Sequence, residues 1–127
     1  MTRLHSEDEL EEEDHGQPQV VDLGDEVDDT FSVLKSEISR KILIELYEEP
    51  CTSSDVADRV DTSLQNTNYH LDRLCEANLV KVVDTQYSAK RREMKIYAPS
   101  SSVLTFVLGR DESVQQCRQA IDRVDQE

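Results

Sequence analysis

The segment Ser63-Leu64-Gln65-Asn66-Thr67-Asn68-Tyr69-His70-Leu71-Asp72-Arg73-Leu74 holds the densest set of side chains suited to recognition. At 100° per residue, Leu64, Thr67, Leu71 and Leu74 line one face of a helix, with Cys75 beside them. The opposite face displays Gln65, Asn66, Tyr69 and Arg73, with Asn68 at its border. A solvated helix face ordinarily carries Glu and Lys. Amides instead present a donor and an acceptor together, which matches the major-groove edge of adenine, while a guanidinium suits guanine or phosphate. Tyr69 can reach a phosphate or stack on a sugar. The plainer reading is a polar surface that happens to be amide-rich, and the helix's place in the order of elements weighs against it.

A second cluster, Ser88-Ala89-Lys90-Arg91-Arg92, sets three consecutive cations in a polar loop, with Lys81 and Lys95 on the flanking stretches. Residues 79–97 hold five Lys/Arg against Asp84 and Glu93, a local excess of +3. Alone, such a loop would read as a solvated hairpin tip. Next to an amide-rich helix it reads as a grip on phosphates or an entry into the minor groove.

Other chemistry finds little support. No Ser/His/Asp arrangement, paired carboxylate pocket or Gly-rich phosphate loop occurs, and the chain has three glycines in all. No catalytic residue and no cofactor is expected. Cys51, Cys75 and Cys117 are odd in number and far apart, which argues against a disulfide framework or a paired-thiol metal site. Each reads as a small buried or half-buried side chain. His70 could be a ligand or a pH switch, but a half-buried packing or phosphate-touching role is the simpler reading. His5 and His15 lie in the N-terminal stretch and are assigned nothing.

Several elements must position these side chains. From Thr30, apolar residues Phe31, Leu34, Ile38, Ile42 and Leu46, with Val33, Leu43 and Ile44 alongside, recur at helical steps until Pro50 stops them. Thr52-Ser53-Ser54-Asp55 begins a short helix: Thr52 can cap it, and Asp55 suits the positive end of its dipole. Ser63 caps the amide-rich helix. After Asn78 the pattern becomes β-branched: Leu79 to Val83 and Met94 to Tyr97 read as two strands joined by the basic loop. Pro99 and Ser100 to Ser102 mark a joint. Val103 to Leu108 could be strand or helix. A last helix begins near Asp111, where Val114, Cys117, Ile121 and Val124 step by the a/d spacing of a two-helix seam. Helix, short helix, turn, helix and hairpin in this order make a winged helix-turn-helix, an α+β fold that is mainly α.

Length and charge set the organisation. With 127 residues, 36% apolar and no Trp, the chain affords a small core of Leu, Ile and Val, which pairing with a second copy would enlarge. No apolar run of about 18 residues exists, so no membrane span is expected, and the acidic N-terminus is unlike a signal peptide; the expected location is cytoplasmic. The net charge of −14 is uneven: residues 1–29 carry 12 Asp/Glu and one Arg, whereas residues 30–127 carry 16 Asp/Glu and 13 Lys/Arg. Residues 1–27 read as an acidic disordered tail, with Val20-Val21-Asp22-Leu23 as a patch that could dock. Residues 28–98 read as the winged-helix domain, and 99–127 as a linker and dimerisation helix. Nine Arg against five Lys, with many carboxylates, matches the balance of proteins from salt-adapted cells, although an acidic tail gives similar totals.

Residues 31–98 resemble the ArsR-like winged-helix regulators, especially the acidic forms of salt-adapted archaea. The resemblance is carried by Leu34 to Leu43, by Thr52-Ser53-Ser54-Asp55-Val56-Ala57, by Tyr69-His70-Leu71-Asp72-Arg73-Leu74 and by Ala77-Asn78-Leu79-Val80. It implies a homodimer joined through terminal helices, with the third helix in the major groove. Metal-sensing members carry paired thiols near the helix-turn-helix or His and carboxylate pairs on the last helix. This chain has neither arrangement, so no metal is expected.

The function expected from the sequence is sequence-specific binding of double-stranded DNA by a homodimer that regulates transcription without catalysis. Ser63, Gln65, Asn66, Asn68, Tyr69 and Arg73 would face base edges and nearby phosphates, Lys90, Arg91 and Arg92 would anchor the wing, and Val114, Cys117, Ile121 and Val124 would form the dimer seam. Two alternatives belong to other classes. One is a winged-helix module binding protein within the transcription machinery, and the other is an effector-gated sensor oxidised at Cys75 or Cys51. The sequence names no small-molecule effector.

Overall fold

The computed structural model describes residues 17–24 and 28–126. It divides into two units, residues 29–100 and a second drawn from both ends of the chain. Residues 1–16 and 25–27, most of the stretch expected to be a disordered tail, lie outside the described residues.

Helix α1 (Asp28–Leu34) and helix α2 (Glu37–Glu48) stand where one continuous helix is expected from Thr30 to Pro50. The break has a local cause. Ser36 takes an extended backbone, and its Oγ accepts a hydrogen bond from the Ser39 N–H at 3.2 Å, so it starts a new helix instead of continuing the old one. The Arg40 guanidinium donates to the carbonyls of Leu34 (2.7 Å) and Lys35 (3.1 Å), acceptors that the end of α1 leaves without helical partners. Breaking the helix also changes which residues pack: Val33 is buried, while Phe31 and Ile44 are exposed.

Strand β2 (Cys51–Thr52) leads into α3 (Ser53–Val60). Thr52 Oγ1 accepts from the Asp55 N–H at 3.3 Å, the cap that the Thr52…Asp55 spacing predicts. Asp61 closes α3 in the left-handed region, at φ 57°. The turn ends at Ser63, whose Oγ accepts from the Asn66 N–H at 3.0 Å and starts α4 (Leu64–Glu76). Strands β3 (Val80–Tyr87) and β4 (Glu93–Pro99) form the expected hairpin; β3 runs four residues further toward the loop than the apolar pattern indicates, and β4 extends beyond it at both ends. The antiparallel sheet has the order β2-β4-β3, with Cys51 opposite Tyr97 and a bulge between Val82 and Asp84.

Ile42 and Leu46 of α2, Val56 of α3, and Leu71 and Leu74 of α4 are fully enclosed, joined by Leu79 just ahead of β3 and by Val80 and Ala98 from the sheet. Each of the Val, Leu and Ile side chains contributes about 1.5–3 kcal/mol through burial. Thr67 is also enclosed, and its hydroxyl donates to the Ser63 carbonyl at 2.9 Å, so that buried group is satisfied. Three helices thus converge on one core, and α4 is anchored along the whole of its inner side. This is the winged helix-turn-helix.

The second unit departs from expectation. Residues 19–22, placed by their composition within a disordered tail, form strand β1 (Gln19–Asp22), which pairs in parallel with β5 (Leu104–Val107). Ladder-type bonds continue beyond both ends, from Gln19 N–H to the Val103 carbonyl and from Leu23 N–H to the Val107 carbonyl, each at 2.8 Å. The physical reason lies in Val20 and Val21: two adjacent β-branched residues favour a strand once an apolar partner such as Leu104-Thr105-Phe106-Val107 is available. The undecided segment 103–108 is therefore strand at its centre. Helix α5 (Asp111–Gln126) follows where it is expected.

Candidate nucleic-acid interface

Helix α4 is the second helix of the helix-turn-helix pair, and its outer face is open. Gln65, Asn68, Tyr69 and Asp72 are exposed, as is Leu64 at 47%. Leu64, expected on the core side, is displaced from it because it is the first helical residue after the Ser63 cap, ahead of the turn where α4 meets the core at Thr67. The open face is therefore rotated from the expected one. Its centre is Gln65, Asn68, Tyr69 and Asp72, and its first two turns carry no Lys, Arg, Asp or Glu.

Asn66 and Arg73 lie at the flanks, half-buried and already engaged. The Asn66 amide donates to Thr62 Oγ1 at 3.0 Å, bracing the turn between α3 and α4. The Arg73 guanidinium donates to Ser32 Oγ at 3.1 Å and sits 5.8 Å from the centre of the Tyr69 ring. Tyr69 meets the His70 ring edge-on, with centroids 5.0 Å apart. Ser63 is exposed, but its Oγ is occupied as the helix cap. Of the six residues assigned to this helix and its cap, Gln65, Asn68 and Tyr69 present free faces outward, and Ser63, Asn66 and Arg73 chiefly fix the geometry.

His70 points the other way. It is buried, and its Nδ1 lies 3.1 Å from Ser39 Oγ. Burial, and then the charge of Arg73, holds its pKa below the ordinary 6.5. A neutral imidazole bridging α2 and α4 fits the packing role, not a ligand role. Burial likewise raises the pKa of the Cys51 and Cys75 thiols, and Asp72 pushes Cys75 further in the same direction. Protonated thiols are slow to oxidise, which disfavours the redox alternative. Cys117, expected buried or half-buried, is exposed, whereas Val114 is buried and Arg118 and Ile121 are half-buried on the same helix.

The basic loop between β3 and β4 is tightly braced. Ser88 N–H donates to the Arg92 carbonyl at 2.9 Å, and Arg91 N–H to the Ser88 carbonyl at 2.8 Å. Ser88 Oγ accepts from the N–H groups of Lys90 (3.3 Å) and Arg92 (3.1 Å). Lys90, Arg91 and Arg92 are all exposed, and Arg91 sits at φ 62°, in the left-handed region where glycine is the usual occupant. The loop is thus a preformed turn carrying three exposed cations.

Residues 34–83 match the helix-turn-helix domain family. Among solved structures, the chain is similar to reduced HlyU from Vibrio cholerae (18% identity over 77% of this chain and 86% of that one, TM-score 0.47). It is similar to NolR from Sinorhizobium fredii (22% identity, 77% and 82% covered, TM-score 0.47). A third is a homodimeric winged helix-turn-helix DNA-binding domain from Mycobacterium bovis, described as a possible ArsR-family regulator (16% identity, 80% and 79% covered, TM-score 0.48). These likenesses are too distant to bear on function. No curated protein matches the chain. Among the described residues, no group of His, Cys, Asp or Glu is placed to hold a metal ion, and no helix is long and apolar enough to cross a membrane.

Sequence reasoning missed Asp72 and Leu64 as surface residues of α4. The signal for Asp72 was present: it lies seven residues after Gln65 and three after Tyr69, on the same helical line. Leu64 carried no such signal, because its type alone argues for the core.

Proposed function

We propose that the protein is a sequence-specific double-stranded DNA-binding regulator of transcription that works as a homodimer. The observation that carries this reading is the open face of α4: an aromatic ring and two amides stand exposed on a helix whose inner side is fully packed. Rigid support of this kind holds amide donors and acceptors at fixed angles, which base-edge hydrogen bonding requires. The exposed cations of the braced β3–β4 loop supply sequence-independent phosphate contacts within the same unit. The helix-turn-helix match over residues 34–83 supports the same reading.

Dimerisation is assigned to α5, through the line Val114, Cys117, Ile121 and Val124. Val114 is buried, Ile121 half-buried and Cys117 exposed, while the side chain of Val124 lies outside the described residues. Two-fold pairing would set the α4 helices about 34 Å apart and call for a near-palindromic site. The excess of Arg over Lys and the abundance of carboxylates fit a cell of high salt content. Counterion release contributes little to affinity there, and base-edge bonds matter more.

Gel retardation of genomic fragments in excess competitor DNA tests the proposal. A small set of fragments, each with a near-palindromic sequence, should shift. Equal retention of all fragments, or of none, contradicts it.

A further inference from the structure

Asp72 stands in the third turn of α4, at the end of the exposed line that the proposed function turns toward DNA. It follows Asn68 by one turn and Gln65 by two, so the three side chains form a single line along the helix. It is exposed, and among the described residues no hydrogen bond or ion pair engages its carboxylate. Of the charged residues near it, Arg73 is drawn away to Ser32 and Glu76 shares its sign, while Lys95 of β4 acts with it on Cys75, and the field of Asp72 reaches Tyr97 as well. A bare carboxylate there is a liability for any helix that approaches phosphates without discrimination. It becomes useful only where a donor meets it.

Resting on the DNA-binding reading, we propose that Asp72 is a specificity-determining residue that selects cytosine in each half-site. An ionised carboxylate only accepts hydrogen bonds. In the major groove, donors are the N4 amine of cytosine and the N6 amine of adenine. Adenine sets its N7 acceptor beside that amine, which repels a second acceptor, whereas cytosine sets a C–H there. Guanine offers two acceptors, and thymine an acceptor and a methyl group. Cytosine is therefore the one base whose edge suits Asp72, and it should occupy a fixed position next to the bases met by Gln65 and Asn68. The same charge repels DNA lacking that cytosine, so Asp72 acts by exclusion as much as by attraction.

The test uses the full chain and a random-sequence duplex pool. Repeated selection with the wild-type protein should enrich a two-fold motif with an invariant cytosine in each half. Dissociation constants are then measured on that duplex and on one in which the cytosine is replaced by thymine. The wild type should lose about fivefold or more per half-site on the replacement, from a discrimination of about 1–3 kcal/mol for such a contact. Asp72→Asn, an exposed isosteric change, should reduce that loss to threefold or less and bind unrelated duplex more tightly than the wild type. If Asp72→Asn keeps the wild-type discrimination, or the enriched motif tolerates any base at every position Asp72 could reach, the assignment to Asp72 is overturned while DNA binding stands. If the wild type enriches no motif, the DNA-binding reading fails and this inference with it.

Discussion

Ser39 and His70 meet inside the core, with Ser39 Oγ 3.1 Å from Nδ1 of His70, and this contact links α2 to the helix that carries the open face. Both residues are buried, so the pair is well shielded from water. It fixes the rotation of α4 about its own axis more sharply than apolar packing alone, because a hydrogen bond has a direction and a methyl contact has little.

The pair makes the fold sensitive to acid. Burial and Arg73 hold the folded-state pKa of His70 below the 6.5 of a free imidazole. The unfolded chain therefore takes up the proton more readily. The stability contributed by neutral His70 is present above about pH 6.5 and is lost as pH falls through its lower folded value. Urea unfolding at pH 7.5 and pH 5.5 should show a larger fall in stability for the wild type than for His70→Asn, which can still bond to Ser39 but does not titrate. Equal falls would mean that His70 is not the group responsible.

Arg91 holds a left-handed conformation that costs a non-glycine residue about 1–2 kcal/mol. Replacing it with glycine should raise the stability of the domain or leave it unchanged, since the strain relieved is partly offset by the greater freedom of glycine in the unfolded chain. The same Arg91→Gly change should weaken DNA binding by removing one exposed cation. Thermal unfolding and a binding titration on one preparation check both. A less stable variant would show that the turn needs the arginine side chain for its shape.

The proposed dimer seam can be tested by a single substitution. Ile121 is half-buried on α5, and Ile121→Asp would place a charge on the proposed contact line. Light scattering should report a monomer, with the circular dichroism of the folded domain retained. A variant that stays dimeric would locate the seam elsewhere.

Much of this fold was legible in advance because local chemistry decided it. Ser63 and Thr52 each stand three residues before the N–H they cap, Pro50 cannot continue α2, and the β-branched run after Asn78 suits a strand. What escaped depended on partners distant in sequence. Gln19 to Asp22 become a strand only by pairing with Leu104 to Val107, and no periodicity in four residues announces a partner 85 positions away. The break at Ser36 was hidden by an apolar rhythm that runs through it. On α4, helical geometry identified the exposed side but not its centre, because Asn66 and Arg73 are turned aside by Thr62 and Ser32, contacts that a wheel drawn for one helix does not contain.

The central claim is that the amide face of α4 reads bases while the basic loop holds phosphates, and salt-dependent binding separates the two roles. Dissociation constants would be measured over a range of salt on a selected site and on a scrambled duplex. The double variant Gln65→Ala, Asn68→Ala should lose about tenfold or more on the selected site, and little on the scrambled one. The double variant Arg91→Ala, Arg92→Ala should weaken both, with the slope of log K against log salt reduced by about 2. Equal losses on both duplexes for the amide variant would contradict the account, because α4 would then be touching only the backbone of the DNA.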